Sequence, residues 1–107
     1  MNENSATDPV TLYVFYAGPA DVRFDRTYYV EQHLPMVLRA WGPYGLQGLA
    51  AFFPASPADG TIAICECRFR DEAAVQRSLA SPETVGVMAD LPRFTDLGAR
   101  RVRAAPF

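Results

Sequence analysis

The segment from Phe24 to Gly42 limits the possible folds most, because it combines a strong helix signal with a residue that disturbs helices. Asp25 is a suitable N-cap, since its carboxylate can accept hydrogen bonds from the unpaired N–H groups of the first turn. Gly42 followed by Pro43 is a strong stop signal. At helical spacing the segment predicts one buried face, formed by Tyr29, His33, Met36, Val37 and Ala40.

Pro35 interrupts this helix. Proline cannot donate to the carbonyl of Glu31, and its ring crowds that turn at a cost of about 3 kcal/mol. We expect a kink or short break just after His33. In one interpretation the kink only lets the helix wrap around a sheet. In the other it widens the space beneath the helix and directs Tyr29 and His33 into it.

Composition excludes several classes of function. The chain has 107 residues, enough for one domain with a core of its own. It contains no lysine, so lysine Schiff bases and P-loop chemistry are excluded. Three arginines near the end, Arg100, Arg101 and Arg103, are a poor nucleic-acid footprint in a chain of net charge −2. No apolar run approaches the roughly 20 residues of a membrane span, so we expect no membrane partner.

We expect residues 1–9 to form a flexible tail and residues 10–107 to form a single domain. The tail has neither the basic n-region nor the apolar h-region of a secretory signal, so we expect a cytoplasmic protein.

Cys65 and Cys67 would share one strand face, where a mutual disulfide is unfavourable. With one histidine in the chain they fall short of a zinc site, and we interpret them as buried thiols, with a metal or redox site as the alternative.

Alternating and apolar runs predict four strands around two helical regions. The expected strands are 10–17, 46–53, 61–69 and 97–102, and the second helical region has two pieces, 72–80 and 82–90. The order β-α-β-β-α-β is that of the ferredoxin-like α+β fold, an antiparallel four-stranded sheet with helices on one face. Because the strands are apolar on both sides, we expect a homodimer that buries the second face.

The motif FDxxYYxxxHxP adds a resemblance to this pattern. The chain resembles the EthD family of the dimeric α+β barrel superfamily from Val10 to about Val102. The residues that carry the resemblance are Phe24, Asp25, Tyr28, Tyr29, His33, Pro35, Gly45, Leu46, Asp90 and Phe94. It implies two sheets that meet across a dimer to form a barrel, and a small-molecule pocket between sheet and helices. Relatives include cofactor-independent monooxygenases, polyketide cyclases, lactone isomerases and haem-degrading enzymes, and EthD is named for ethyl tert-butyl ether degradation.

The chemistry predicted for this segment is acid–base catalysis without a metal or cofactor. His33 is the candidate acid or base, because imidazole titrates near neutral pH. Tyr29 is the candidate contact to a developing enolate or phenolate oxygen. The residues predicted to contact substrate are Tyr28, Met36, Val37 and Tyr13.

The expected substrate is a hydrophobic aromatic or carbonyl-containing compound. His33 has a competing interpretation, a structural histidine bonded to a backbone carbonyl near the kink. For the whole chain the alternatives are a non-catalytic binding protein that holds a pathway intermediate, as in ether degradation, and a pure interaction module.

Overall fold

Strands and helices follow one another in the predicted order β-α-β-β-α-β. The structure is a computed structural model that describes residues 8–105. Its elements are β1 (Val10–Gly18), α1 (Arg26–Tyr28), a π-helical turn (Tyr29–His33), α2 (Leu34–Trp41), a 3₁₀ turn (Gly42–Tyr44), β2 (Leu46–Phe52), β3 (Gly60–Phe69), α3 (Glu72–Ala80), α4 (Glu83–Ala89), a second 3₁₀ turn (Leu91–Arg93) and β4 (Arg100–Arg103).

The four strands form one antiparallel sheet in the order β2-β3-β1-β4. This topology confirms the predicted α+β fold class. Val14 of β1 lies opposite Cys65 of β3 and Arg101 of β4, and these residues point to the face that the helices cover. Tyr13 lies opposite Glu66 on the other face, which we call the open face. The predicted homodimer through the open face stays a prediction.

The central helical region begins as predicted, with the Asp25 side chain accepting from the N–H of Tyr28 at 3.0 Å. The predicted break just after His33 is instead a π-helical turn that ends at His33, where the N–H of Leu34 bonds to the carbonyl of Tyr29. Proline acts on the turn that precedes it, through its missing N–H and its ring. The disturbance therefore lies before Pro35, and α2 continues regularly after it.

Three local predictions were wrong. β4 begins at Arg100 rather than Leu97, because the N–H of Leu97 donates to the Thr95 hydroxyl at 3.2 Å and not to β1, while the Leu97 side chain packs against Gly18. Strict alternation along the predicted strand 46–53 puts Leu46 and Gly48 on one face. A bulge between them in β2 instead places them on opposite faces, since one extra residue reverses the alternation. Ser81 directly precedes the predicted helix 82–90, where a serine is expected to act as N-cap. Its side chain does not cap α4; its hydroxyl donates to the carbonyl of Ser78 at 2.7 Å, at the end of α3.

The core lies between the sheet and the helices. Its largest fully buried side chains are aromatic, namely Tyr16, Tyr29, Phe69 and Phe94. Cys65 and Cys67 are both free and buried there, which confirms the interpretation as buried thiols. Most of the predicted tail, residues 1–7, lies outside the described residues. No helix within residues 8–105 is long and apolar enough to cross a membrane.

Candidate functional site

A cavity of about 350 Å³ lies between the sheet and the helices. Most of its wall is apolar, with Val14 and Leu49 from the sheet and Val37, Leu79 and Leu91 from the helical side. Its polar lining comes from a few side chains: Tyr16, Tyr29, His33, Cys65, Cys67, Thr84 and Arg101. An apolar cavity with few polar groups is the usual form of a small-molecule site.

His33 borders this cavity and is almost fully buried, with 3% of its surface exposed. The π-helical turn ends here, and both of its buried residues, Tyr29 and His33, line the cavity. Their rings stack with 5.6 Å between centroids, and the centroid of the Phe94 ring lies 4.6 Å from that of the imidazole. The aromatic neighbours hold the imidazole plane in one orientation.

The other partner of His33 is a carboxylate that local sequence signals did not reveal. The Nδ1 atom of His33 lies 2.9 Å from Oδ2 of Asp90, and both side chains are buried. Asp90 also accepts a 2.8 Å hydrogen bond from the Tyr28 hydroxyl and lies 3.4 Å from Nε of Arg93. Asp90 follows α4 directly, where the chain turns into the second 3₁₀ turn.

Electrostatics favour an ionised Asp90 beside a neutral His33. Burial acts to raise the pKa of Asp90, but the hydrogen bonds from His33 and Tyr28 outweigh it and lower that pKa. Burial lowers the pKa of His33 below its usual value, against the opposing effect of Asp90. A carboxylate accepting from Nδ1–H fixes the tautomer in which Nε2 carries the lone pair. The imidazole is then ready to accept a proton at Nε2.

Tyr29 is buried in the same wall beside the two thiols. Burial raises the pKa of its phenol, as do the neighbouring Cys65 and Tyr16, so Tyr29 stays protonated and can only donate or accept hydrogen bonds. The Sγ atoms of Cys65 and Cys67 lie 3.9 Å apart. The hydrogen bond with Cys65 and burial both raise the pKa of Cys67. Within the described range, no three His, Cys, Asp or Glu side chains are grouped to hold a metal ion.

The predicted site residues separate into three groups. His33, Tyr29 and Val37 line the cavity together. Tyr28 lies behind the wall and reaches the cavity only through Asp90 and His33. The structure does not bring Met36 or Tyr13 to the cavity: Met36 lines a shallow groove on the outer side of α2, and Tyr13 donates to Glu66 on the open face.

Asp90 is the functional residue that reasoning from the residues alone did not assign. It lies 57 positions from His33, so no helical or strand spacing relates the two. Its place among the residues that carry the EthD resemblance was the one available signal. Arg101, on the edge strand, also lines the cavity although no site was assigned to it.

Comparison with known proteins identifies the fold. No protein-family model and no protein of curated function matches the sequence. An EthD-like protein from Ralstonia eutropha is 19% identical, with 92% of this chain and 91% of that chain covered and a TM-score of 0.78. An ethyl tert-butyl ether degradation (EthD) family protein from Bacillus halodurans is 18% identical, with 91% and 99% covered and a TM-score of 0.65.

A third similar structure is SnoaB, a cofactor-independent oxygenase from Streptomyces nogalater. It is 14% identical, with 94% of this chain and 96% of that chain covered and a TM-score of 0.61. At these identities the likeness concerns the fold and not the reaction. The EthD resemblance of the sequence is therefore confirmed at the level of its architecture: the chain has the fold of the EthD-like proteins.

Proposed function

We propose that this is an EthD-like small-molecule protein that acts on a hydrophobic aromatic or carbonyl-containing compound by cofactor-independent acid–base chemistry. The observation that carries the proposal is the buried His33, whose Nδ1 is held by Asp90 while its ring borders an apolar cavity of about 350 Å³. The fold is compatible with chemistry of this type, since SnoaB, a cofactor-independent oxygenase, has a similar one. We also propose a cytoplasmic location.

In the proposed reaction Nε2 of His33 removes a proton from a carbon next to a carbonyl, or from a phenol. Asp90 stabilises the imidazolium as it forms, because its carboxylate is ionised and hydrogen-bonded to Nδ1. Tyr29 lines the same cavity, and in this reaction its hydroxyl would donate to the oxygen on which negative charge develops. The resulting enolate or phenolate is a first intermediate common to oxygenation, cyclisation and isomerisation.

The open face of the sheet supports a homodimer as part of the proposal. Phe52 and Val102 on this face are 55% and 50% exposed. Phe15 and Ile64 lie opposite each other on the same face and are partly buried. Large exposed apolar side chains on one face are typical of an interface. A second copy of the sheet would cover them.

A non-catalytic binding protein is the second candidate. It is favoured by the position of Tyr29, whose hydroxyl lies against the Cys65 thiol within the wall. A phenol occupied in this way can serve simply as part of the cavity surface. Such a protein would bind a pathway intermediate and release it unchanged.

Hydrogen–deuterium exchange into 2-tetralone distinguishes the two candidates, because it detects proton removal without knowledge of the full reaction. With NMR detection in D₂O, we expect the protein to accelerate exchange next to the carbonyl. In the variant His33→Gln the rate of catalysed exchange should be about 10²–10⁴-fold lower, because a general base usually contributes that much. Binding of 2-tetralone should change little, and circular dichroism should show that the variant is folded.

The matched control is Gln32→Ala, which alters the exposed neighbour of His33 and should leave exchange intact. Binding without accelerated exchange would favour the binding protein. Exchange that persists in His33→Gln, or a ligand that binds nowhere near the cavity, would contradict the proposal.

A further inference from the structure

We propose that Arg101 recognises a carboxylate on the ligand where the cavity opens to solvent. The ligand is then an apolar ring system that carries an acidic group. This inference deepens the proposed function and rests on it. It names the chemical class of ligand, whereas the proposed function names only an apolar body and an acid–base step.

The position of Arg101 follows from the sheet register. Arg101 pairs with Val14 across β1 and β4, and both residues line the cavity. Arg101 is exposed, and Met88 across the cavity is 49% exposed, whereas His33 is buried. The two exposed lining residues therefore mark the side on which the cavity opens to solvent. A ligand that enters there places one end near Arg101 and its body against the apolar wall toward His33.

The neighbouring arginines of β4 differ from Arg101 in the face on which they lie or in their partners. Arg100 pairs with Phe15 and points to the open face. Arg103 pairs with Leu12, on the same face as Arg101, but its guanidinium is engaged by the Glu72 carboxylate. Within residues 8–105, Arg101 makes no comparable ion pair or hydrogen bond. Its guanidinium is therefore available to a ligand, and the planar fork of an arginine matches the geometry of a carboxylate.

The charge of the cavity also favours an anion. Among the described lining residues Arg101 carries the only full charge, because His33 is neutral near pH 7. The nearby Asp90 carboxylate lies outside the lining and is engaged by His33, Tyr28 and Arg93. One cation at the opening of an apolar cavity attracts an anion more strongly than it would in open water, because the local dielectric constant is lower.

Cavity size restricts the apolar body. An engineered apolar cavity of about 150 Å³ binds benzene. A cavity of about 350 Å³ that is open at one side can hold one or two fused rings. The competing explanation is that Arg101 only protects the exposed edge of the sheet, a common use of charged residues on edge strands. An edge charge of that kind would not discriminate between an acid and its neutral amide.

The test uses three probes with the same ring system: 2-naphthoate, the neutral 2-naphthamide and the cationic 2-naphthylmethylammonium. Calorimetric titration should give a dissociation constant about tenfold or more lower for 2-naphthoate than for 2-naphthamide, as expected for a charged hydrogen bond. The ammonium compound should bind most weakly. In Arg101→Gln the preference for the acid should disappear, while the dissociation constant of the amide stays within about twofold.

The matched control is Arg39→Gln, which removes the same charge from the outer groove of α2 and should leave the preference intact. Equal binding of acid and amide to the natural protein, or a preference that survives in Arg101→Gln, would overturn the inference. Neither result affects the proposed function, because 2-tetralone is neutral and its exchange depends on His33. If none of the three probes binds while 2-tetralone exchange proceeds, the inference alone fails. If exchange and binding both fail, the proposed function fails with it.

Discussion

Two tyrosine–carboxylate pairs lie on opposite sides of the sheet, and they share the same chemistry. On the helix side the Tyr28 hydroxyl donates to Asp90 at 2.8 Å. On the open face the Tyr13 hydroxyl donates to Glu66 at 3.2 Å. Each carboxylate also receives an arginine, Arg93 on Asp90 and Arg68 on Glu66. For both tyrosines the hydrogen bond to the carboxylate is the largest cause of the raised phenol pKa.

The two pairs differ in burial and in one further partner. Asp90 is buried and holds His33 through Nδ1, whereas Glu66 is partly exposed on a face without a histidine. The Arg68 guanidinium lies against Gly48, where a Cβ atom would come within 2.4 Å of it. A raised tyrosine pKa therefore does not mark the site. Burial and the imidazole distinguish the candidate site from the structural pair on the open face.

The largest difference between the two sides should appear in Phe94→Ala compared with Phe52→Ala. Phe94 is fully buried against Tyr29 and His33, so its truncation should lower the free energy of unfolding by about 3–5 kcal/mol. Phe52 is 55% exposed, so its truncation should change the stability of the subunit by only about 0.5 kcal/mol. Urea denaturation measures both. Sedimentation should show that Phe52→Ala weakens self-association, and comparable destabilisation of both variants would contradict the contrast.

A smaller difference should separate Asp90→Asn from Glu66→Gln. Each substitution removes one charge with little change in shape. At Asp90 we expect a loss of about 1.5–3 kcal/mol, because a charged hydrogen bond to His33 is lost in a buried setting. The loss at Glu66 should be smaller, because water can replace its partners.

Urea denaturation gives the stabilities of these two variants, and 2-tetralone exchange gives their activities. Exchange should fall strongly only in Asp90→Asn, since an amide no longer fixes the tautomer of His33. Equal loss of exchange in the two variants would remove the distinction between the two sides.

The smallest predicted effect is a pH dependence confined to the helix side. Burial holds the pKa of His33 below that of the unfolded chain, which is about 6.5. Below pH 6.5 the unfolded chain therefore binds the proton first. The free energy of unfolding should fall as the pH drops from about 6.5 toward the folded pKa, by at most about 1.4 kcal/mol per pH unit.

His33→Gln is the control for this window, because His33 is the single histidine of the chain. Urea denaturation between pH 7.5 and 5 should show the decline in the natural protein and not in the variant. Stability that rises on acidification would instead mean that Asp90 dominates over burial.

Local signals were sufficient to predict the elements of the fold. The predicted Asp25 cap is present, with its carboxylate accepting from the N–H of Tyr28 at 3.0 Å. The predicted helix 72–80 coincides with α3 (Glu72–Ala80). These features depend on residues within a few positions of one another, and that is the range over which periodicity and capping act.

The remaining features depend on contacts between distant residues. The bulge in β2 is set by pairing with β3, and the contact of Leu97 with Gly18 joins positions far apart in the chain. The pairing of His33 with Asp90 requires that α4 ends beside the π-helical turn. The helix pattern predicted that His33 lies on a buried face. Which carboxylate would meet it there could not be predicted from spacing.

The π-helical turn has a consequence for insertions and deletions in this segment. A wide turn holds one residue more than an α-helical turn would, and each residue rotates a helix by about 100°. Deleting one residue between Tyr29 and His33 would turn the imidazole relative to Asp25 and the first turn. The orientation of His33 is thus set by chain length between two fixed points, the Asp25 cap and Pro35. Changes in loop length elsewhere should be tolerated, whereas this segment should keep its length even where its exposed side chains vary.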